Sequence, residues 1–167
     1  MNIDRDSYET PPEVFERLDR QFNFGFDVCA NDDTAKCLDY WTKKDDALSK
    51  NWAKDIGDPL SWKRTIWCNP PYSDIGPWVD KAIEAQANGV CTVMLVMADT
   101  SVGWFDRGRE RCSEVIFITG GRLSFYLNGV KQSGNNKGSL IFVFDPWKIG
   151  HCVTSYMDRS ELLGIKK

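Results

Sequence analysis

The stretch Thr65-Ile66-Trp67-Cys68-Asn69-Pro70-Pro71-Tyr72 constrains the fold more than any other in the chain. An apolar run of strand type enters two prolines, which cannot donate ladder hydrogen bonds, so the strand must end there. Each proline also holds the residue before it extended, which makes the turn stiff and presents the Asn69 amide and the Tyr72 ring in fixed directions. A rigid turn at the carboxyl end of a strand is where open α/β sheets place their ligands.

Such a turn suits methylation of an amino group conjugated to a ring. The Asn69 side-chain carbonyl and the Pro70 backbone carbonyl can both accept from an exocyclic NH2, drawing its lone pair out of conjugation and toward an electrophile. Tyr72 offers a flat face on which a flipped-out base can stack. The amine can attack first and lose its proton afterwards, so no general base is needed at the outset. The same four residues also fit an ordinary proline-rich strand-to-helix turn, and the rest of the chain has to decide.

Upstream, Thr10-Pro11-Pro12-Glu13 predicts a helix start: a threonine cap, proline at the first helical position and glutamate three residues after the cap. Val14, Phe15, Leu18 and Phe22 fall on one face of that helix. Phe24 to Ala30 reads as a buried strand ending in small residues, where a backbone can approach a ligand and Asp27 can accept from its amino or hydroxyl groups. Within the polar stretch 31–58, residues 36–42 read as a short strand and 43–50 as a loop.

After the turn, Pro77 opens a helix with Trp78, Val79, Ala82 and Ile83 on its apolar face, and Gly89 stops it. Val90 to Met97 is a continuous apolar run, as expected of a central strand covered on both faces. A right-handed crossover is the natural connection between the two strands. Trp78 and Trp104 are assigned to the core, and Asp99-Thr100-Ser101 is expected to cap a helix from Trp104 to Cys112. Strands are expected at 113–119 and 122–127, with a turn at Gly120-Gly121 between them. A glycine- and asparagine-rich loop covers 128–139, and Leu140 to Phe144 is expected to close the sheet. The tail from Trp147 reads as an appended segment.

At 167 residues the chain is read as one domain with a single substantial core. No run approaches the roughly 18 apolar residues of a membrane span, and the amino terminus lacks a signal-peptide pattern, so an intracellular protein is expected. The six cysteines include no Cys-x-x-Cys pair, and His151 is the only histidine. Buried thiols are therefore expected rather than disulfides or metal ligands, no metal is expected, and a His-based triad is disfavoured. Net charge is −3, but its distribution is uneven: residues 1–60 carry 8 basic and 14 acidic side chains, residues 101–140 carry 6 and 3. A nucleic-acid substrate would find its phosphate contacts in the later stretch.

Seven pieces in order carry a resemblance: Tyr8-Glu9-Thr10-Pro11, Phe26-Asp27-Val28-Cys29-Ala30, Asp45-Asp46-Ala47-Leu48 with Trp52, the Asn-Pro-Pro-Tyr turn, Trp78-Val79, Trp104-Phe105, and Gly121-Arg122-Leu123-Ser124-Phe125. Together, from Tyr8 to Pro146, they resemble the phage and prophage family of Dam-type N-6-adenine DNA methyltransferases. The resemblance implies a single Rossmann-like α/β domain over 1–146, its mixed, mostly parallel sheet flanked by helices, with 147–167 as a carboxyl-terminal extension. It implies S-adenosylmethionine as methyl donor and double-stranded DNA as substrate, in the cytoplasm of a bacterial host if the gene is a phage's. The protein would be a monomer or a homodimer, with no membrane partner.

By the same resemblance Asn69, Pro70, Pro71 and Tyr72 are catalytic, and Tyr8, Thr10, Pro11, Asp27, Cys29, Ala30, Asp46 and Asn69 contact the donor. The chain departs from the usual pattern in having Cys29, Ala30 and Asn31 where the glycines of Asp-x-Gly-x-Gly stand. Only about 40 residues separate Asp27 from Asn69, too few for an inserted recognition domain, so recognition is expected within 120–140. There Lys131 and Lys137 suit phosphates, and Arg122, Gln132, Asn135 and Asn136 suit base edges. Two alternatives stay open: an amino-group methyltransferase acting on RNA or protein, and a catalytically silent nucleic-acid-binding or decoy domain.

Overall fold

The computed structural model describes residues 5–56, 65–133 and 135–165. Asp58 at the end of the polar 31–58 stretch, and Gly134 inside the 128–139 loop, lie outside them. The strands are β1 (Phe26–Ala30), β2 (Tyr40–Thr42), β3 (Thr65–Cys68), β4 (Cys91–Met97), β5 (Glu114–Thr119), β6 (Tyr126–Leu127), β7 (Val130–Lys131), β8 (Ser139–Phe144) and β9 (Val153–Asp158). The helices are α1 (Pro12–Phe22), α2 (Trp52–Asp55), α3 (Gly76–Ala87), α4 (Gly103–Arg111) and α5 (Arg159–Leu162).

Seven strands form one sheet in the order β2-β1-β3-β4-β8-β5-β9. Only β8 runs against the others, pairing antiparallel with β4 and β5, so the sheet is mixed and mostly parallel, as expected. Strands buried on both faces read as continuous apolar runs, and the alternation of β4 shows why. Val93 and Leu95 join Val14 and Leu18 of α1 in one apolar layer; Met94 and Val96 join Val79 and Ala82 of α3 in the other. Each such side chain contributes roughly 1.5–3 kcal/mol when fully buried. On the second face α4 reaches the sheet through Gly108, where a Cβ would lie 2.7 Å from the Phe142 ring.

Four local expectations are corrected. Thr10 does not cap α1: Pro11 is at the cap, with no side-chain bond, because the buried Thr10 hydroxyl is engaged by a residue far along the chain. Asp99 does not cap α4, whose cap Val102 has no side-chain bond; the Asp99 carboxylate instead accepts from Ser101 and pairs with Lys137. The strand expected at 122–127 is only Tyr126–Leu127: the Leu123 carbonyl accepts from the Asn135 side chain instead of a neighbouring strand, and Asn128 and Gly129, both at positive φ, turn the chain into β7. Finally, β8 does not close the sheet but lies inside it, buried at every position, and the tail after Trp147 supplies the edge strand β9, parallel to β5. Arg17 of α1 is paired with Glu161 of α5, fastening the tail from outside.

Candidate functional site

From β1 the chain moves outward to β2 and returns on the other side of β1 as β3, so the sheet's order reverses between β1 and β3. Open α/β sheets leave a crevice at such a point, beyond the carboxyl ends of the strands. Here it is a cleft of about 420 Å³, of the size that takes a small organic ligand. Tyr8, Thr10, Asp27, Cys29, Ala30, Asp46 and Asn69 all line it, drawn from four separate segments. Pro71 lines it too, whereas Pro70 and Tyr72 are not on its wall.

Asn69 follows directly on β3, half-buried at the cleft. Its Nδ2 donates to the Tyr8 carbonyl at 3.3 Å and to the Thr10 hydroxyl at 3.1 Å. Both amide hydrogens are thereby used, and the side chain cannot turn over without losing them. Its Oδ1 is buried and has no hydrogen-bond partner among the described residues. A buried acceptor without a donor costs about 1–3 kcal/mol, and a ligand N–H removes that cost.

The amino-terminal segment that grips Asn69 is pinned at three points. Asp6 accepts from the Ser73 backbone at 2.9 Å and from its hydroxyl at 2.5 Å, just past the Pro-Pro-Tyr turn. Glu9 and Tyr126 exchange backbone hydrogen bonds at 2.8 and 3.0 Å, which joins the segment to the β6–β7 hairpin. The Tyr8 ring stacks on Phe125, centroids 5.9 Å apart, and Phe125 meets Tyr72 edge-on at 5.8 Å. The Tyr72 hydroxyl is buried without a partner, and burial holds the phenol well above its ordinary range, so it stays protonated.

The acidic residues divide by role. Asp27, 3% exposed, spends both carboxylate oxygens on backbone N–H groups: Oδ1 accepts from Cys29 and Oδ2 from Lys36, each at 3.1 Å. Burial nevertheless outweighs these bonds and pushes its carboxyl from 3.8 up to about 6. Asp45 is drawn into a capping box with Thr42, whose backbone N–H donates to it at 2.7 Å and holds its carboxyl below the usual range. Asp46 is left facing the cleft, in the left-handed region at φ 50°, exposed and without a side-chain partner among the described residues.

A pH consequence follows from Asp27. Its folded-state pKa lies above its unfolded value, so the folded chain binds the extra proton between the two. Stability from this group is fully present below about pH 4 and is lost as pH rises through about 6, by up to about 3 kcal/mol. Urea unfolding of wild type and Asp27→Asn is expected to give a difference that changes over that window and is flat above it. A flat difference throughout would show that Asp27 does not titrate there.

The residues expected to read DNA are partly engaged within the chain. Arg122 Nη1 donates to the Asn135 carbonyl at 3.0 Å, Asn135 Nδ2 to the Leu123 carbonyl at 3.3 Å, and Gln132 Nε2 to the Val130 carbonyl at 2.8 Å. Lys137 is paired with Asp99. Lys131 and Asn136 are exposed. Pro11 lies on a second, smaller cleft together with Lys131.

The sequence reading omitted several residues of the main wall. Trp78, assigned to the core, lines the cleft, as do Asn31, Thr34, Lys36 and Lys43. Asn31-Asp-Asp-Thr carries a legible signal, a side chain that accepts from backbone two and three residues on, and Asn31 Oδ1 does accept from Asp33 and Thr34. Among the described residues no group of three or more His, Cys, Asp or Glu is placed to hold a metal ion, and no helix is long and apolar enough to cross a membrane.

A DNA N-6-adenine-methyltransferase of Escherichia phage T1 is 31% identical over 163 residues, 87% of this chain, which spans 65% of that relative's length. A DNA N-6-adenine-methyltransferase of Haemophilus phage HP1 is 31% identical over 165 residues, covering 95% of this chain and 90% of the relative. A putative methyltransferase of Escherichia coli matches over 74 residues at 32% identity. No solved structure matches the chain. The family model described as DNA N-6-adenine-methyltransferase (Dam) matches residues 1–166, and the chain, with its Asn-Pro-Pro-Tyr turn set at the switch point of a mixed α/β sheet, belongs to that family.

Proposed function

We propose that this chain transfers a methyl group from S-adenosylmethionine to the exocyclic amino group of an adenine turned out of double-stranded DNA. The observation that carries the reading is the Asn69 amide: its nitrogen is committed to Tyr8 and Thr10, which leaves a buried, partnerless oxygen at the cleft. Adenine presents an amino donor where guanine and thymine present carbonyls, and an acceptor fixed in this way favours an amino-bearing base; family membership supports adenine over cytosine, which carries an amino group too.

The cleft's size and lining fit the methyl donor. Cys29 and Ala30 end β1 with small side chains, and the unpaired Asp46 carboxylate suits ribose hydroxyls or an amino group, while Asp27 supports the loop behind them. The donor supplies an electrophilic methyl group on a positively charged sulfur. The chain's own residues bind and aim the nucleophile: Asn69 Oδ1 accepts one amino hydrogen and the Pro70 carbonyl the other, so the nitrogen lone pair leaves conjugation. Bonding of the nitrogen to the methyl group would break the sulfur–methyl bond and leave a neutral thioether, and the extra proton on nitrogen would then pass to water. Tyr72, protonated and edge-on to Phe125, offers its ring as a stacking surface rather than its oxygen as a base.

A test is to supply tritiated S-adenosylmethionine with DNA, RNA and protein in parallel. Label is expected on DNA alone, with donor binding visible by calorimetry. Label on RNA or protein instead, or absence of donor binding, would contradict the reading.

A further inference from the structure

The second cleft, of about 160 Å³, lies where the tail meets the β6–β7 hairpin and the start of α1. Its wall holds two cations, Lys131 and Arg159, and one acid, Glu13. Among the described residues neither cation has an ion-pair partner, and the buried Arg159 Nε has no hydrogen-bond partner. Room for the Arg159 stem comes from Gly121, where a Cβ would stand 3.1 Å from Arg159 Cδ and where φ is +133°. A guanidinium held in a small concavity with an unused donor calls for an oxyanion.

Resting on the DNA-methylating reading above, we propose that this cleft seats a phosphodiester group of the strand whose adenine is brought to Asn69, held by Lys131 and Arg159. Size excludes the larger candidates, since nucleoside-sized ligands occupy pockets of about 300 Å³ or more. Charge then separates a phosphodiester from free phosphate. Two cations and one carboxylate leave a net charge of about +1, which matches a diester, whereas a phosphomonoester carries about −1.5 to −2 at neutral pH. Position supplies the last step: Thr10 lines the main cleft and Pro11 the second one, while Tyr126 of the second cleft is bonded through the backbone to Glu9 of the first. A strand that delivers its base to Asn69 thus passes within reach of both cations. Phosphate contacts of this kind fix register without reading sequence, and here they give the carboxyl-terminal tail a role in binding.

The test is a salt titration of binding to a short mixed-sequence duplex by wild type, Lys131→Gln, Arg159→Gln and Glu13→Gln, with donor affinity and thermal melting measured beside it. Each loss of a cation is expected to flatten the slope of log affinity against log salt by about 0.9, equally for all sequences, with donor affinity unchanged. Glu13→Gln is expected to strengthen binding, and inorganic phosphate to compete only weakly. Should Arg159→Gln fold poorly, Lys131→Gln decides alone. Unchanged slopes in a protein whose wild type methylates DNA would overturn the phosphate seat while leaving the enzymatic reading intact. Strong competition by inorganic phosphate would overturn the seat in favour of a free anion. A wild type that neither binds nor methylates DNA would remove both.

Discussion

Asn69→Ala is expected to lower methyl transfer by at least about 10²-fold while the folded variant binds the methyl donor nearly as well as wild type. The reason is geometric. Alanine removes the oxygen proposed to fix the amino group, and it leaves Asp46, Cys29 and Ala30, the cleft residues proposed to hold the donor, untouched. Thr10 offers a graded control, because its hydroxyl accepts from the Asn69 amide at 3.1 Å and is 2% exposed. Thr10→Val is expected to cost about tenfold in rate, the worth of one hydrogen bond that orients the amide, and Thr10→Ser to recover most of it. Single-turnover rates and calorimetric donor affinities check both. Loss of donor binding in a folded Asn69→Ala protein would place Asn69 on the wrong ligand.

Trp52→Ala is expected to destabilise the chain by about 3–5 kcal/mol and to weaken donor binding in whatever fraction remains folded. Trp52 is 1% exposed, and its indole Nε1 donates to the Ala47 carbonyl at 2.8 Å. Its ring lies 6.3 Å from that of Trp78, which lines the cleft, and Ala47 lines it too, next to Asp46. Truncation therefore opens a cavity, leaves the Ala47 carbonyl with only the Lys50 backbone N–H as donor, and loosens the wall that presents Asp46. Trp52→Phe keeps most of the volume and loses the bond, so it should cost less, about 1–3 kcal/mol. Denaturant unfolding and donor calorimetry measure the two effects. An alanine variant as stable as wild type would mean that Trp52 does not support this wall.

Much of this was readable from residue order, for identifiable physical reasons. Two prolines after an apolar run end a strand in any context, so the Asn69 turn could be placed without tertiary information. Continuous apolar runs likewise announce strands covered on both faces. Their order in the sheet is another matter: Leu140 to Phe144 has the same local pattern at an edge or in the interior, and only the pairing of β8 with both β4 and β5 decides it. Half-exposed β9 lacks the apolar signal altogether and is recognised only through its parallel pairing with β5.

Thr10 shows how a local rule loses to a distant partner. Threonine with glutamate three residues on is a complete capping pattern, yet Asn69, 59 residues away, takes the hydroxyl. Asp27 is the converse. Its place at a strand end was legible, but its oxygens turn to the backbone of Cys29 and Lys36, whereas Asp46 faces the cleft with its carboxylate free of side-chain partners among the described residues.

On the proposed reading, the orphaned Asn69 oxygen receives the amino group of adenine. The most direct test is to incubate the protein with S-adenosylmethionine carrying a deuterated methyl group and with duplex DNA, digest the product to nucleosides and identify the labelled species by mass spectrometry. Labelled N6-methyldeoxyadenosine and no other labelled nucleoside is expected, with the product absent for Asn69→Ala. Label on the amino group of deoxycytidine, or an undiminished yield of labelled adenine from Asn69→Ala, would contradict the reading.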